Sequence, residues 1–182
     1  MNEHGIPGAY VKCTLESYPR ELPQALAAEW GDESWFYRIE VVHLPLGLYL
    51  YGPVGSGKTG LAAASLMLAI RQGHDGWFTT VPRLLQSQRE SFRESGESPM
   101  AHAMRVRILL LDDLGAERLT DWGLEQIDNL IRERVAEEQP TIFTSNYSLA
   151  DLAERAGVRV ADRLAGFCEF VHVPGPSLRI PQ

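Results

Sequence analysis

Gly52-Pro53-Val54-Gly55-Ser56-Gly57-Lys58-Thr59 combines spaced glycines, a lysine and a hydroxyl in the pattern that holds a triphosphate and its metal ion. The apolar run 46–51 before it reads as a buried strand, and the helix-forming residues 61–70 follow it. A strand, a Gly-rich turn and a helix are the context this phosphate loop, or P-loop, requires. Backbone N–H groups of the turn and the positive end of the helix would converge on phosphate oxygens. Lys58 supplies a point charge for the β- and γ-phosphates, and the Thr59 hydroxyl is a hard oxygen ligand suited to Mg²⁺. The expected nucleotide-binding set is Gly52, Pro53, Val54, Gly55, Ser56, Gly57, Lys58, Thr59 and Gly60.

A second cluster of chemistry lies at 106–113, where an apolar run ends in Asp112 and Asp113. Such a run is expected of a central parallel strand buried on both faces. Asp112 would share the metal ion with Thr59, and Asp113 would orient or deprotonate an attacking water. Asn146 closes the next strand candidate, 141–144, where a neutral amide can hydrogen-bond water or the γ-phosphate without adding charge. Arg159 and Arg163 are four apart and share one face of a helix. Either could serve as an arginine finger in a neighbouring subunit's site, or pair with Asp162 or Glu154 on the surface.

The elements that must position these groups alternate between strand and helix. A short strand is expected at 77–80, then a helix from Val81 with Pro82 in its first turn, carrying Leu84, Leu85, Gln88 and Phe92. Its polar face holds Arg83, Arg89 and Arg93, either a solvated surface or a strip for single-stranded nucleic acid. Residues 95–99 read as a polar break. An amphipathic helix is expected through Leu124, Ile127, Leu130, Ile131 and Val135, with Asp121 near its positive end and Pro140 ending it. Ser148 and Asp151 form a capping-box pattern that starts a helix over 149–156, and Gly157 stops it. A further helix over 158–164 and a last strand over 167–173 complete the pattern. The order predicts an α/β fold, a parallel sheet sandwiched between helices, with the P-loop at the carboxyl ends of the strands. One strand between the P-loop and the acidic strand predicts an inserted strand separating the two ATP motifs.

Ahead of this core, residues 1–45 are expected to form an arm with a short helix over 22–30 and a second helix or a strand over 35–42, and residues 46–182 the ATPase domain. The 182-residue chain is 45% hydrophobic and 23% charged, as in ordinary globular proteins. A net charge of −7 argues against a strongly basic nucleic-acid binder, though a local basic strip or an assembled pore remains compatible with it. Cys13 and Cys168 fit no metal-ligand spacing, and the start of the chain lacks a signal-peptide pattern. A cytoplasmic protein without a membrane span is expected.

Taken together, residues 52–59, the acidic stretch Ile108-Leu109-Leu110-Leu111-Asp112-Asp113-Leu114-Gly115-Ala116-Glu117, Asp121-Trp122-Gly123 and Phe143-Thr144-Ser145-Asn146-Tyr147-Ser148 resemble the AAA+ ATPases of the DnaC/DnaI/IstB family, replicative helicase loaders and transposition helper ATPases. The opening Gly5-Ile6-Pro7 to Tyr18 also resembles the segment leading into that module. The resemblance implies Walker A at Gly52 to Thr59, Walker B at Asp112 and Asp113, and sensor 1 at Asn146. It favours Arg163 over Arg159 as the finger. It also implies ATP and Mg²⁺ as ligands, self-association, single-stranded DNA, and a replicative helicase or a transposase as partner. Gly60 stands where relatives often carry His, and Leu178 in Ser177-Leu178-Arg179 replaces the aromatic residue of the family's terminal motif. No separate helicase-gripping amino-terminal domain and no substantial carboxyl-terminal lid are expected. ATP hydrolysis on DNA is the first functional expectation. A nucleotide-dependent assembly switch with little turnover is the second, and a small-molecule kinase the third.

Overall fold

The structure is a computed structural model that describes residues 4–13, 46–91, 98–116 and 118–175. The helix expected over 22–30 and the helix or strand expected over 35–42, together with Phe92, Arg93, Glu117 and the tail carrying Arg179, lie outside the described residues.

Among the described residues, five parallel strands form one sheet: β1 (Gly47–Tyr51), β2 (Gly76–Thr80), β3 (Ile108–Asp112), β4 (Thr141–Ser145) and β5 (Cys168–His172). Their order across the sheet is β2-β3-β4-β1-β5. β4 therefore lies between the strand leading into the P-loop and the strand ending in Asp112, so a strand does separate the two ATP motifs, but it is the one at 141–145, while the 77–80 strand stands at the far end of the sheet order. Six helices connect and cover the described strands: α1 (Lys58–Arg71), α2 (Val81–Ser91), α3 (Pro99–Arg105), α4 (Asp121–Ala136), α5 (Leu149–Ala156) and α6 (Val158–Phe167).

Alternation along each strand divides the interior into two layers. Leu48, Leu50, Ile108, Leu110, Ile142 and Val171 face α1 and the arm residue Ile6. Tyr49, Leu109, Leu111 and Phe143 face the opposite way, onto α2 to α6. β3 is buried throughout, so its continuous apolar run needs no polar face. The described arm closes the outer side of β2, where the Phe78 N–H donates to the His4 carbonyl at 2.8 Å and Tyr10 packs against Phe78. An otherwise open strand edge is thereby covered.

Two boundaries differ from the sequence expectation. The polar break at 95–99 runs into a helix, α3, whose N-cap Ser98 accepts from the Ala101 N–H with Pro99 at its first turn. A helix of seven residues is too short to display periodicity. α4 ends at Ala136, four residues before Pro140, with Glu138 in a left-handed turn at φ 50°. The proline follows the stop without causing it. Ser148 caps α5 as expected, accepting from the Asp151 N–H at 3.3 Å.

Beneath the sheet, Arg134 is fully buried, with no carboxylate paired to it among the described residues. Its guanidinium donates to the carbonyls of Ala103, Val106 and Pro140 at 2.7, 2.9 and 2.8 Å and to Thr141 Oγ1 at 2.7 Å. It satisfies the carboxyl end of α3 and ties it to β4 and α4, which explains how a buried cation is tolerated. Burial lowers its pKa to about 10, so it stays charged at neutral pH.

Candidate nucleotide site

The site forms where β1, β4 and β3 end side by side. Tyr51 pairs with Ser145 and Leu111 with Phe143, which brings the P-loop, Asn146 and the two acids to the same edge of the sheet. Backbone conformation explains the glycines at the P-loop. Gly52 has φ 148°, and a Cβ there would stand 2.3 Å from the Val173 carbonyl oxygen. That carbonyl is fixed because the Val173 N–H donates to Tyr51 O at 2.7 Å. Gly57, also left-handed at φ 97°, precedes α1 and contributes no side-chain cap, so the amino end of that helix opens onto the loop.

Lys58 is buried, and its ammonium donates to Gly52 O at 2.9 Å and Pro53 O at 2.7 Å. Thr59 Oγ1 donates to Asp112 Oδ1 at 2.8 Å, joining the first turn of α1 to the end of β3. Thr144 Oγ1, on the intervening strand, donates to the same carboxylate oxygen in a short contact. It also accepts from the Asp113 N–H at 3.2 Å. Burial holds the Asp112 carboxyl above its ordinary pKa, and the neighbouring Asp113 adds to this, while the Thr144 and Thr59 hydrogen bonds and Lys58 pull it back.

Asp113 turns out of the strand in a left-handed conformation, φ 61°, which leaves its side chain exposed at the strand end. The turn behind it is fixed from several directions. Leu114 N–H donates to Thr144 O at 2.9 Å, Ser145 Oγ donates to Leu114 O at 2.6 Å, and Arg155 Nε donates to Gly115 O at 2.8 Å. Asn146 is half-buried at the end of β4, followed by Tyr147, whose carbonyl accepts from the Tyr49 hydroxyl at 2.9 Å.

The parts fit a magnesium nucleotide. The amino end of α1 and the positively charged Lys58 suit phosphate. Ser56 Oγ is buried with no hydrogen-bond partner among the described residues, a polar atom left for a ligand to satisfy. Among the described residues no cluster of three or more His, Cys, Asp or Glu could hold a metal ion by itself. Thr59 and Asp112 instead offer a pair of oxygen ligands of the sort that shares Mg²⁺ with phosphate and water.

Residues 39–182 match the family of IstB-like ATP binding proteins. The chain belongs to this family. Its curated relatives include the replicative helicase loader DnaI of Bacillus subtilis, 32% identical over 108 residues, covering 58% of this chain and 35% of that protein. The replicative helicase loader DnaC of Escherichia coli K12 is 23% identical over 90% of this chain and 67% of its own length. A protein of insertion sequence IS21 from Pseudomonas aeruginosa, to which ATP binding is ascribed, is 29% identical over 73% of this chain and 52% of its own. The chain thus spans between about a third and two thirds of the length of these relatives. Among solved structures, a DnaC helicase loader superposes with a TM-score of 0.79 at 29% identity, over 92% of this chain and all of that one. The replication initiator DnaA bound to AMPPCP and single-stranded DNA shares the fold, with a TM-score of 0.76 at 21% identity over 91% of this chain and 51% of that one. The fold is that of the P-loop AAA+ domains.

The structure brings together Gly52 to Gly60, Asp112, Asp113 and Asn146 at one edge. The two candidate fingers lie apart from them on α6. Arg163 forms an ion pair with Asp128 of α4, a partner different from the Asp162 or Glu154 that spacing offered. Arg159 is exposed. Of the α2 arginines, Arg83 is exposed, and Arg89 lies 4.7 Å over the Trp122 ring and donates to Thr120 Oγ1 at 3.4 Å. Thr144 and Arg155 were not found from the sequence. Their roles depend on contacts between strands and helices far apart in the chain, and the only available signal for Thr144 was its place just before Ser145-Asn146.

Proposed function

We propose that the chain binds Mg·ATP at residues 52–60 and hydrolyses it to ADP and phosphate. The 2.8 Å contact from Thr59 Oγ1 to Asp112 Oδ1 carries this reading, because it sets the two expected metal ligands on one another at the mouth of the phosphate loop. Lys58 would leave the carbonyls of Gly52 and Pro53 for the β- and γ-phosphates. Thr59 and Asp112 would hold Mg²⁺, which when bound neutralises charge across the phosphate oxygens. Asp113 would orient the attacking water and take its proton as oxygen bonds to the γ-phosphorus. ADP then departs with the electron pair of the broken P–O bond. Asn146 would hydrogen-bond the water or the γ-phosphate from the adjacent strand end.

Self-association would bring Arg163, or the exposed Arg159, to a neighbouring subunit's γ-phosphate. The relatives' names, helicase loaders on one side and an insertion-sequence protein on the other, support a role on DNA in the cytoplasm, in replicative helicase loading or beside a transposase. Single-stranded DNA is the proposed nucleic-acid partner, with Arg83 and Arg89 as candidate contacts. No described helix is long and apolar enough to cross a membrane. The Arg163–Asp128 pair favours a second reading, a nucleotide-dependent assembly switch with little turnover, because the isolated chain keeps its candidate finger occupied.

The test is phosphate release by the wild type and by Lys58→Ala, each with and without single-stranded DNA across a range of protein concentrations. The hydrolytic reading expects release that rises with concentration or DNA and disappears in Lys58→Ala. ATP binding with no release under any of these conditions would favour the switch.

A further inference from the structure

We infer that Arg155 is a positioning residue that locks the Asp113 turn to the Asn146 turn, so that the two groups facing the attacking water keep a fixed separation. The inference rests on the hydrolytic reading above. Arg155 lies in the last turn of α5, remote in sequence from both turns. Its Nε donates to Gly115 O at 2.8 Å, and its Nη2 reaches Ala116 O at 3.5 Å. The same guanidinium lies 4.2 Å over the ring of Tyr147, the residue that follows Asn146. One planar cation thus grips the backbone two residues after Asp113 and the side chain one residue after Asn146. Only a guanidinium offers both a forked set of donors and a flat face for an aromatic ring.

The surroundings make this grip selective. Gly115 is left-handed at φ 81°, and a Cβ there would stand 2.7 Å from Leu152 Cδ1, so α5 packs directly against the turn. Ser145 Oγ donates to Leu114 O at 2.6 Å and accepts from the Tyr147 N–H at 3.1 Å. This hydroxyl forms a parallel tie between the same two turns at their base, and Arg155 holds them at their tips. Asp113, in a left-handed conformation that few side chains adopt comfortably, keeps its direction only while the turn behind it is held. α5 runs through Gly157 into α6, the helix that carries Arg163. A shift of these helices on assembly would therefore move the water-positioning turns through Arg155.

The experiment compares wild type, Arg155→Ala and Arg155→Lys for phosphate release, for binding of a fluorescent ATP analogue, and for thermal unfolding. A displacement of about 1 Å in a positioned group costs on the order of 100-fold in rate, so kcat should fall at least tenfold in Arg155→Ala with nucleotide affinity unchanged. Arg155→Lys keeps one donor for Gly115 O and loses the stacked plane, so it should recover part of the rate. In an Asp113→Asn background the effect of Arg155→Ala should shrink well below its size in the wild type, because much of it passes through Asp113. A purely structural arginine would lower the melting temperature, leave kcat intact in the folded fraction, and add its effect independently of Asp113→Asn. An intact kcat in the folded fraction, or an effect fully additive with Asp113→Asn, would overturn the inference while leaving wild-type hydrolysis standing. If Arg155→Ala does not fold, Arg155→Lys decides by its kcat alone. A wild type that releases no phosphate would instead remove the hydrolytic reading itself.

Discussion

Thr144→Val removes one hydroxyl from the centre of the site and keeps the volume of the side chain. Thr144 Oγ1 serves two partners, donating to Asp112 Oδ1 and accepting from the Asp113 N–H at 3.2 Å. A hydrogen bond to a charged group contributes about 1.5–3 kcal/mol, so losing the one to ionised Asp112 costs roughly that amount. If the loss falls on the carboxylate's ability to hold a cation, affinity for Mg·ATP drops roughly 10- to 100-fold, at 1.4 kcal/mol per tenfold. The pH dependence has a definite sign. Burial already holds the Asp112 pKa above its ordinary 3.8, and Thr144 is the largest influence opposing that rise. Its removal raises the pKa further, so the acid limb of Mg·ATP binding should move to higher pH. Stability without nucleotide should follow the same linkage. The Asp112 contribution is fully present below pH 3.8 and is lost as pH rises through the raised folded-state pKa, a point the substitution moves upward. The assay is Mg·ATP affinity against pH for both proteins, with unfolding curves beside it. An unchanged acid limb in a folded Thr144→Val protein would refute the assignment of this hydroxyl to Asp112.

Three further outcomes follow from the geometry. Gly52→Ala should weaken nucleotide binding and destabilise the fold, because its Cβ would meet Val173 O at 2.3 Å in a left-handed backbone; thermal unfolding and analogue binding should fall together. Arg134→Met strips four buried acceptors of their donor, at a cost of about 3 kcal/mol or more. For a chain of this size each kcal/mol corresponds to about 2–4 °C, so a melting temperature lower by about 6 °C or more is expected, and an unchanged one would deny Arg134 its structural role. Asp128→Asn frees Arg163 from its ion pair and should lower the protein concentration at which phosphate release rises, whereas Arg163→Ala should leave ATP binding intact and reduce release.

The gathering of the candidate residues at one sheet edge was legible because local sequence carries it. The P-loop needs backbone conformations that only its glycines supply, and the run ending in Asp112 could be buried on both faces only in a central strand. The strand order pointed to an inserted strand between the two motifs, but that it is β4 and not β2 became visible only in the sheet. The remainder depends on contacts that no window of sequence contains. Thr144 reaches Asp112 across neighbouring strands, Arg155 reaches the Asp113 turn from α5, and Asp128 meets Arg163 between α4 and α6. α3 was missed for the opposite reason, since seven residues give a helix too few turns to show a face. Its signal was the Ser98-Pro99 start, which read equally well as a loop. Arg134 belongs to the first kind, an arginine on an amphipathic helix that reads as surface until α3 and β4 close over it.

The most direct measurement is phosphate release by Asp113→Asn beside the wild type, under conditions where both are saturated with Mg·ATP. The exposed Asp113 lies outside the Thr59–Asp112 pair, so its neutral isostere should bind nucleotide as tightly as the wild type while release falls by about 100-fold or more. Equal release from the two proteins would contradict the account, because water would then be activated without the acid that the β3 turn holds at the site.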